Sequence, residues 1–216
     1  LNSTEADNRE EELKEIEEEI KSCKKCVLHK YRTNPVPGEG PATAKVMFIG
    51  EAPGRNEDLQ GRPFVGRAGE LLDYLMNLAG LDRSKVFITN VVKCRPPNNR
   101  DPRPEEISAC LPYLRRQIAV IKPKLIVCLG RFAGSTIFKL ARLKWNGMYR
   151  LHGRVFESTV EGVPVKIVAT FHPASAFYRK EVRDLIERDF KEVIGRLVKE
   201  LNEGEKGRKT LLDFMD

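Results

Sequence analysis

Between Glu5 and Lys21 the large apolar residues are Leu13, Ile16 and Ile20, three and four positions apart. That spacing predicts an amphipathic helix with one narrow apolar face. It leads directly into a CxxC pair, Cys23 and Cys26, and then a loop rich in Pro and Gly, Pro35-Val36-Pro37-Gly38-Glu39-Gly40-Pro41. The next stretch, Lys45-Val46-Met47-Phe48-Ile49, is a short continuous apolar run of the kind a doubly covered parallel strand shows. The same alternation then repeats. It predicts a helix over Arg67–Ala79, a strand over Val86–Val92, a helix over Arg103–Ile121, a strand over Leu125–Leu129 and a helix over Phe132–Ala141. Strands Val155–Ser158 and Val163–Ala169 flank Glu161-Gly162, and one long helix is expected from Tyr178 to Leu201. Strands separated by helices define an α/β protein with a mostly parallel sheet covered on both faces.

Sheets of this kind bind ligands beyond the C-terminal ends of their strands. Here those positions read Gly50-Glu51-Ala52-Pro53-Gly54, Thr89-Asn90, Gly130-Arg131 and Thr170-Phe171-His172-Pro173. Taken alone, each has a plain structural explanation. The first is neither GxGxxG nor a Walker loop, and a tight βα turn accounts for it. Asn90 alone would be a strand-end residue and His172 a hydrogen-bonded structural histidine. Phe64, in Gly61-Arg62-Pro63-Phe64-Val65-Gly66, would be core. Together, three polar groups ending adjacent strands can converge on one pocket.

The chain has 216 residues, 41% of them hydrophobic, enough for one substantial core. We read residues 1–201 as a single domain that includes the N-terminal helix and the cysteine segment, and 202–216 as a flexible tail. No apolar run approaches the ~18 residues of a membrane span, and the N-terminus is acidic where a secretory signal is basic, so a cytoplasmic protein is expected. Lys and Arg number 38 against 31 Asp and Glu, for a net charge of +7. Many of the acids sit in the first helix, which leaves a more basic body. A polyanionic partner fits, and so does the solvated surface of a thermophile protein, since 32% of residues are charged. Five cysteines in a reducing compartment favour metal binding or burial over disulfides. Cys128, inside an apolar run, reads as core. Cys23, Cys26, Cys94 and Cys110 could equally hold zinc as four thiolates.

GEAPGRNED, GRPFVG, TNVVKCRPP, the two cysteine pairs and FHPAS, in this order, closely resemble family 4 uracil-DNA glycosylases, the iron–sulfur type of archaea and thermophilic bacteria. The resemblance spans roughly Ser22–Leu197. It implies a three-layer α/β/α sandwich with a four-stranded parallel core sheet, and hydrolysis of the N-glycosidic bond of uracil in DNA to leave an abasic site and start base excision repair. It implies a prokaryotic, nucleoid-associated monomer acting on single- or double-stranded uracil-containing DNA. It also implies a [4Fe–4S] cluster on Cys23, Cys26, Cys94 and Cys110 in place of zinc, and no catalytic divalent metal.

The resemblance gives each site residue a role. Phe64 stacks on the extruded base, Asn90 pairs with uracil N3–H and O4, and His172 donates to O2 as its charge develops. Backbone N–H groups of Gly50, Glu51 and Ala52 are further donors to O2, and Glu51 positions water or stabilises the sugar cation. Arg95, Arg100 and Arg103, with Lys93, would meet DNA phosphates. Phe177 stands where the family often has Leu, as a wedge into the stack or as core at a helix start. Ala52 stands where covalently trapping relatives have Gln, and turnover is the expectation. Two alternatives stay open: a metal-stabilised DNA-binding protein without turnover, and a glycosylase for mismatches or other deaminated bases. At the C-terminus, Arg208–Met215 resembles the box by which proteins bind the sliding clamp (PCNA), with Leu211, Phe214 and Met215 as apolar anchors. Docking of those three on the protein's own body is the other reading.

Overall fold

The computed structural model describes the backbone of residues 3–212 and the side chains of residues 4–204. Helix α1 (Ser3–Ser22) precedes strand β1 (Val46–Gly50), and α2 (Arg55–Gln60) and α3 (Arg67–Leu78) lead to β2 (Val86–Asn90). Helix α4 (Pro104–Ile121), β3 (Leu125–Leu129), α5 (Arg131–Leu140) and the one-turn α6 (Met148–Leu151) follow. An antiparallel hairpin, β4 (Val155–Val160) and β5 (Val163–Thr170), completes the sheet. Its two-residue turn, Glu161-Gly162, has φ of 50° and 76°, the doubly left-handed geometry that matches strand twist.

The sheet order is β2-β1-β3-β5-β4, a four-stranded parallel core with β4 as an antiparallel edge. Strand alternation sorts the core into two layers. Met47 and Ile49 of β1, with Ile126 and Cys128 of β3, face Leu13, Ile16 and Ile20 of α1 together with α4 and α5. Val46 and Phe48, with Leu125 and Val127, face Leu72, Leu75 and Met76 of α3 and the C-terminal helices. Cys128 is fully buried, as the apolar run predicts. Among the described residues no helix is long and apolar enough to cross a membrane.

The long helix expected over Tyr178–Leu201 is not continuous. The chain makes a 3₁₀ turn at Pro173–Phe177, extends at Arg179 (φ −144°), and then forms α7 (Lys180–Arg188), a π-turn (Asp189–Ile194) and α8 (Gly195–Leu212). The π-turn directs Asp189 inward, where its carboxylate accepts from Thr170 Oγ1 at 2.7 Å and from His152 Nδ1 at 2.9 Å. The next residue, Phe190, stacks on Phe48 with centroids 5.9 Å apart. Apolar periodicity cannot register a buried aspartate, so it reads the three pieces as one helix. The backbone also stays helical to Leu212, so the first part of the predicted flexible tail continues α8. Phe214, Met215 and the side chain of Leu211 lie outside the described residues.

Candidate active site

The C-terminal ends of β2, β1 and β5 meet at a cleft of about 490 Å³ lined by Glu51, Ala52, Phe64, Asn90 and His172. The volume falls within the ~300–1,000 Å³ of small-ligand pockets. Strand β3 lies between β1 and β5, yet His172 reaches across its end. Gly130 permits that crossing: it has φ 94° and ψ 174°, and a Cβ there would lie 3.0 Å from His172 Cβ. Gly50 makes similar room on the other side, since a Cβ would lie 2.4 Å from Asn90 Oδ1 and 2.7 Å from Phe64 Cζ. Neither role could be read from sequence, where both glycines pass as turn formers.

Asn90 is 2% exposed, and its Oδ1 is buried without a hydrogen-bond partner. A buried acceptor of this kind is costly unless a ligand donor satisfies it. Beneath it sits Lys93. The Lys93 ammonium donates to Thr89 Oγ1 at 2.5 Å, Asn90 O at 2.8 Å and Gln117 Oε1 at 2.7 Å, which matches its three protons to three acceptors. Lys93 is buried, with its pKa pushed down to about 7 by loss of water, so it does not belong with the phosphate-facing cations.

His172 Nδ1 accepts from Ala174 N at 3.1 Å, which leaves Nε2 as the proton-bearing nitrogen. Burial lowers the imidazole pKa to about 4, so it is neutral at physiological pH. Its ring lies 5.6 Å from that of Phe64, tilted by 27°. Burial is also the main cause that raises Glu51 to about 7, reinforced by the negative charge of Asp101 and opposed by Arg131. Glu57, which sequence reasoning overlooks, accepts from Val65 N and Gly66 N at 3.0 Å each and fastens the loop behind Phe64. The acidic pair in GEAPGRNED was the available signal.

The basic residues divide. Arg100 lines the cleft, but its guanidinium forks onto the buried Glu106 carboxylate at 2.6 and 2.8 Å. The same carboxylate accepts from Arg103 N, while the Arg103 side chain faces solvent. Arg95 donates to Asn99 Oδ1 at 2.7 Å. Phe177 is 40% exposed, with the Arg67 guanidinium 4.7 Å from its ring centre, and is therefore surface and not core. Arg67 itself lines the cleft and was not foreseen.

Cys23, Cys26, Cys94 and Cys110 line one small pocket, though they come from the segment after α1, the segment after β2, and α4. Cys94 Sγ accepts from Arg32 Nη1 at 3.0 Å and Cys110 Sγ from Lys93 N at 3.2 Å. Burial raises Cys26, Cys94 and Cys110, the last to about 12. Among the described residues, no group of three or more Cys, His, Asp or Glu is arranged to hold a single metal ion.

The cleft at one edge of this α/β sheet thus gathers an amide, a neutral imidazole and an aromatic ring, the set that the resemblance to base-excising glycosylases calls for. Comparison with known families agrees: the profile of the uracil DNA glycosylase superfamily matches residues 37–197. The chain belongs to this superfamily and, within it, to the type-4 uracil-DNA glycosylases. It is 51% identical to the type-4 uracil-DNA glycosylase of Archaeoglobus fulgidus over 95% of this chain and 100% of that one. It is 50% identical to the Saccharolobus solfataricus enzyme of the same name over 82% and 83%, and 40% identical to that of Thermotoga maritima over 89% and 98%.

Proposed function

We propose that Asn90, Phe64, His172 and Glu51 divide the work of this family's reaction, hydrolysis of the N-glycosidic bond that joins uracil to deoxyribose in DNA. The unpartnered, buried Oδ1 of Asn90 carries the reading. It accepts from uracil N3–H while the same amide donates to O4. Cytosine presents an acceptor and an amine at those positions, so it leaves both amide groups mismatched in a buried site, where discrimination is strong. The base reaches Asn90 by leaving the stack, and the Phe64 ring receives its face.

Bond cleavage leaves positive charge on the sugar and negative charge on the uracil ring. The Nε2–H of neutral His172 donates to O2 as that charge grows, with backbone N–H groups of Gly50, Glu51 and Ala52 as further donors. Ionised Glu51 orients the water that attacks the sugar and offsets its positive charge. Arg95, Arg103 and Phe177 contact the DNA flanking the flipped base, Arg95 and Arg103 at phosphates and Phe177 in the gap left in the stack. In single-turnover assays on a uracil-containing oligonucleotide, His172→Ala should lower the rate by roughly 10²–10³, as loss of one oxyanion donor does. Binding to abasic product should stay near wild type. Equal losses of rate and affinity would assign His172 a structural role. Asn90→Asp should cut uracil excision sharply, and an unchanged rate would remove Asn90 as the reader.

We further propose that Cys23, Cys26, Cys94 and Cys110, which line one pocket, hold a [4Fe–4S] cluster. Four cysteines that surround a pocket, and are not gathered as a group for one metal ion among the described residues, favour a cluster over a single zinc. The surrounding Arg32 and the Lys93 N–H suit bound thiolates. Held by these four cysteines, a cluster would tie three chain segments together and supply structure, not a redox step. Purified protein should be yellow-brown and contain iron and acid-labile sulfide, and colourless protein with one zinc would overturn the assignment. In the cell we place the enzyme in the cytoplasm at the nucleoid, as a monomer. Leu211, Phe214 and Met215 tether it to the sliding clamp.

A further inference from the structure

Phe64 has φ of 51°, in the left-handed region that bulky side chains avoid because Cβ crowds the backbone. A strained residue persists only where its surroundings over-determine it. Three neighbours do so. Gly69 lets α3 pass close, since a Cβ there would lie 1.9 Å from Phe64 O. Glu57 holds the next two amides, Val65 N and Gly66 N. The third neighbour comes from farther along the chain. Arg83, in the 3₁₀ turn before β2, reaches back to donate from Nη1 to Phe64 O at 2.9 Å and from Nη2 to Pro63 O. Nη1 also meets Asp73 Oδ1 at 3.2 Å.

Arg83 does not line the cleft. Its side chain is 22% exposed, and its Nε is buried without a hydrogen-bond partner, 3.9 Å from Glu39 Oε1. A guanidinium drawn this far from water, with one nitrogen left unpaired, is poorly placed for a DNA phosphate. It is well placed to grip two successive carbonyls from two separate nitrogens, a planar, fixed span that the point-like ammonium of Lys does not reproduce. We propose that Arg83 is a positioning residue for uracil excision, fixing the Pro63-Phe64 peptide so that the Phe64 ring faces the flipped base. The proposal rests on the stacking role of Phe64.

The test is a double-mutant cycle on the full-length, metal-loaded protein, reading single-turnover excision, inhibition by free uracil, and melting temperature. Arg83→Gln should slow excision roughly 10- to 100-fold, since a misplacement of about 1 Å near the chemistry is worth up to about 10². Inhibition by free uracil should weaken in parallel, which a general loss of stability would not produce. In the Phe64→Ala background the same change should alter the rate less than about twofold, because the coupling runs through the missing ring. Arg83→Lys, the gentler variant, should fold normally and still be slow. Equal slowing by Arg83→Gln in both backgrounds would overturn the proposal, as would wild-type rates in Arg83→Gln and Arg83→Lys beside a slow Phe64→Ala. A Phe64→Ala rate equal to wild type would overturn the stacking role and the Arg83 proposal with it, whereas wild-type Arg83 variants beside a slow Phe64→Ala overturn the Arg83 proposal alone.

Discussion

Two groups in the cleft titrate away from their ordinary ranges, and in directions that suit their proposed work. With its pKa raised to about 7, Glu51 is half-protonated at neutral pH, so the carboxylate needed to orient water accumulates as pH rises. Excision should therefore increase from about pH 6 to pH 8, and Glu51→Gln should abolish that rise along with most of the rate. His172, lowered to about 4, stays neutral across the same window and should add no limb near pH 6.5. The raised carboxylate also has a cost in stability. Between its unfolded pKa and about 7 the folded state binds the extra proton, so stability falls as pH rises through that interval and levels off above it. Glu51→Gln should accordingly raise the melting temperature more at pH 8 than at pH 4.5. Equal shifts at both pH values would mean that the carboxyl is not desolvated.

At the scale of elements, the end of β2 is the most heavily engineered piece of the sheet. Lys93 binds Thr89, Asn90 O and Gln117 with its ammonium, and its backbone N–H meets Cys110 Sγ. Replacing it with Met strands three buried acceptors, each worth about 1–3 kcal/mol when unpaired. We expect Lys93→Met to lower stability by at least about 2 kcal/mol in urea unfolding, and a neutral result would mean that the acceptors find other partners. The strands and most of the longer helices were legible, but the break at Asp189–Ile194 and the short α2 and α6 were not. Apolar runs placed β1, β2 and β3 within a few residues, because a doubly covered strand has no other pattern. Asn90, Glu51 and His172 were legible as well, since topology sends strand ends to one edge. The supports were not. Lys93 reads as another cation in a basic stretch, Asp189 as a solvated helix residue and Arg83 as surface charge. Thr89 and Asn90 are close to Lys93 in sequence, but Gln117 and the partners of Asp189 and Arg83 lie 10 to 37 residues away, and only the folded chain brings them together.

Across the whole molecule, the cysteine pocket brings together chain segments that are far apart in sequence. Cys26 and Cys94 bracket β1, β2 and the Phe64 loop, so a bound cluster would restrict the unfolded chain over that entire stretch. Cys110→Ser should remove iron and lower the melting temperature, while the fraction that stays folded at 25 °C keeps measurable excision. Complete inactivity of that folded fraction would instead give the cluster a part in the chemistry. Deleting residues 209–216 should leave excision from short oligonucleotides unchanged and abolish clamp binding in a calorimetric titration. Full clamp binding by the truncated protein, or its collapse, would favour docking of the tail on the body. The crossing of His172 over the end of β3 has a consequence for variation in this enzyme. At φ 94° and ψ 174°, position 130 occupies backbone space that is essentially reserved for Gly. In a saturation scan selected for uracil repair, it should tolerate as few replacements as position 172, although its residue presents no functional group to DNA. Even Ala, one methyl larger, should register as a null allele. A map of intolerant positions would thus outline the path of the imidazole, and a reader who equated intolerance with substrate contact would mistake a doorway for a hand.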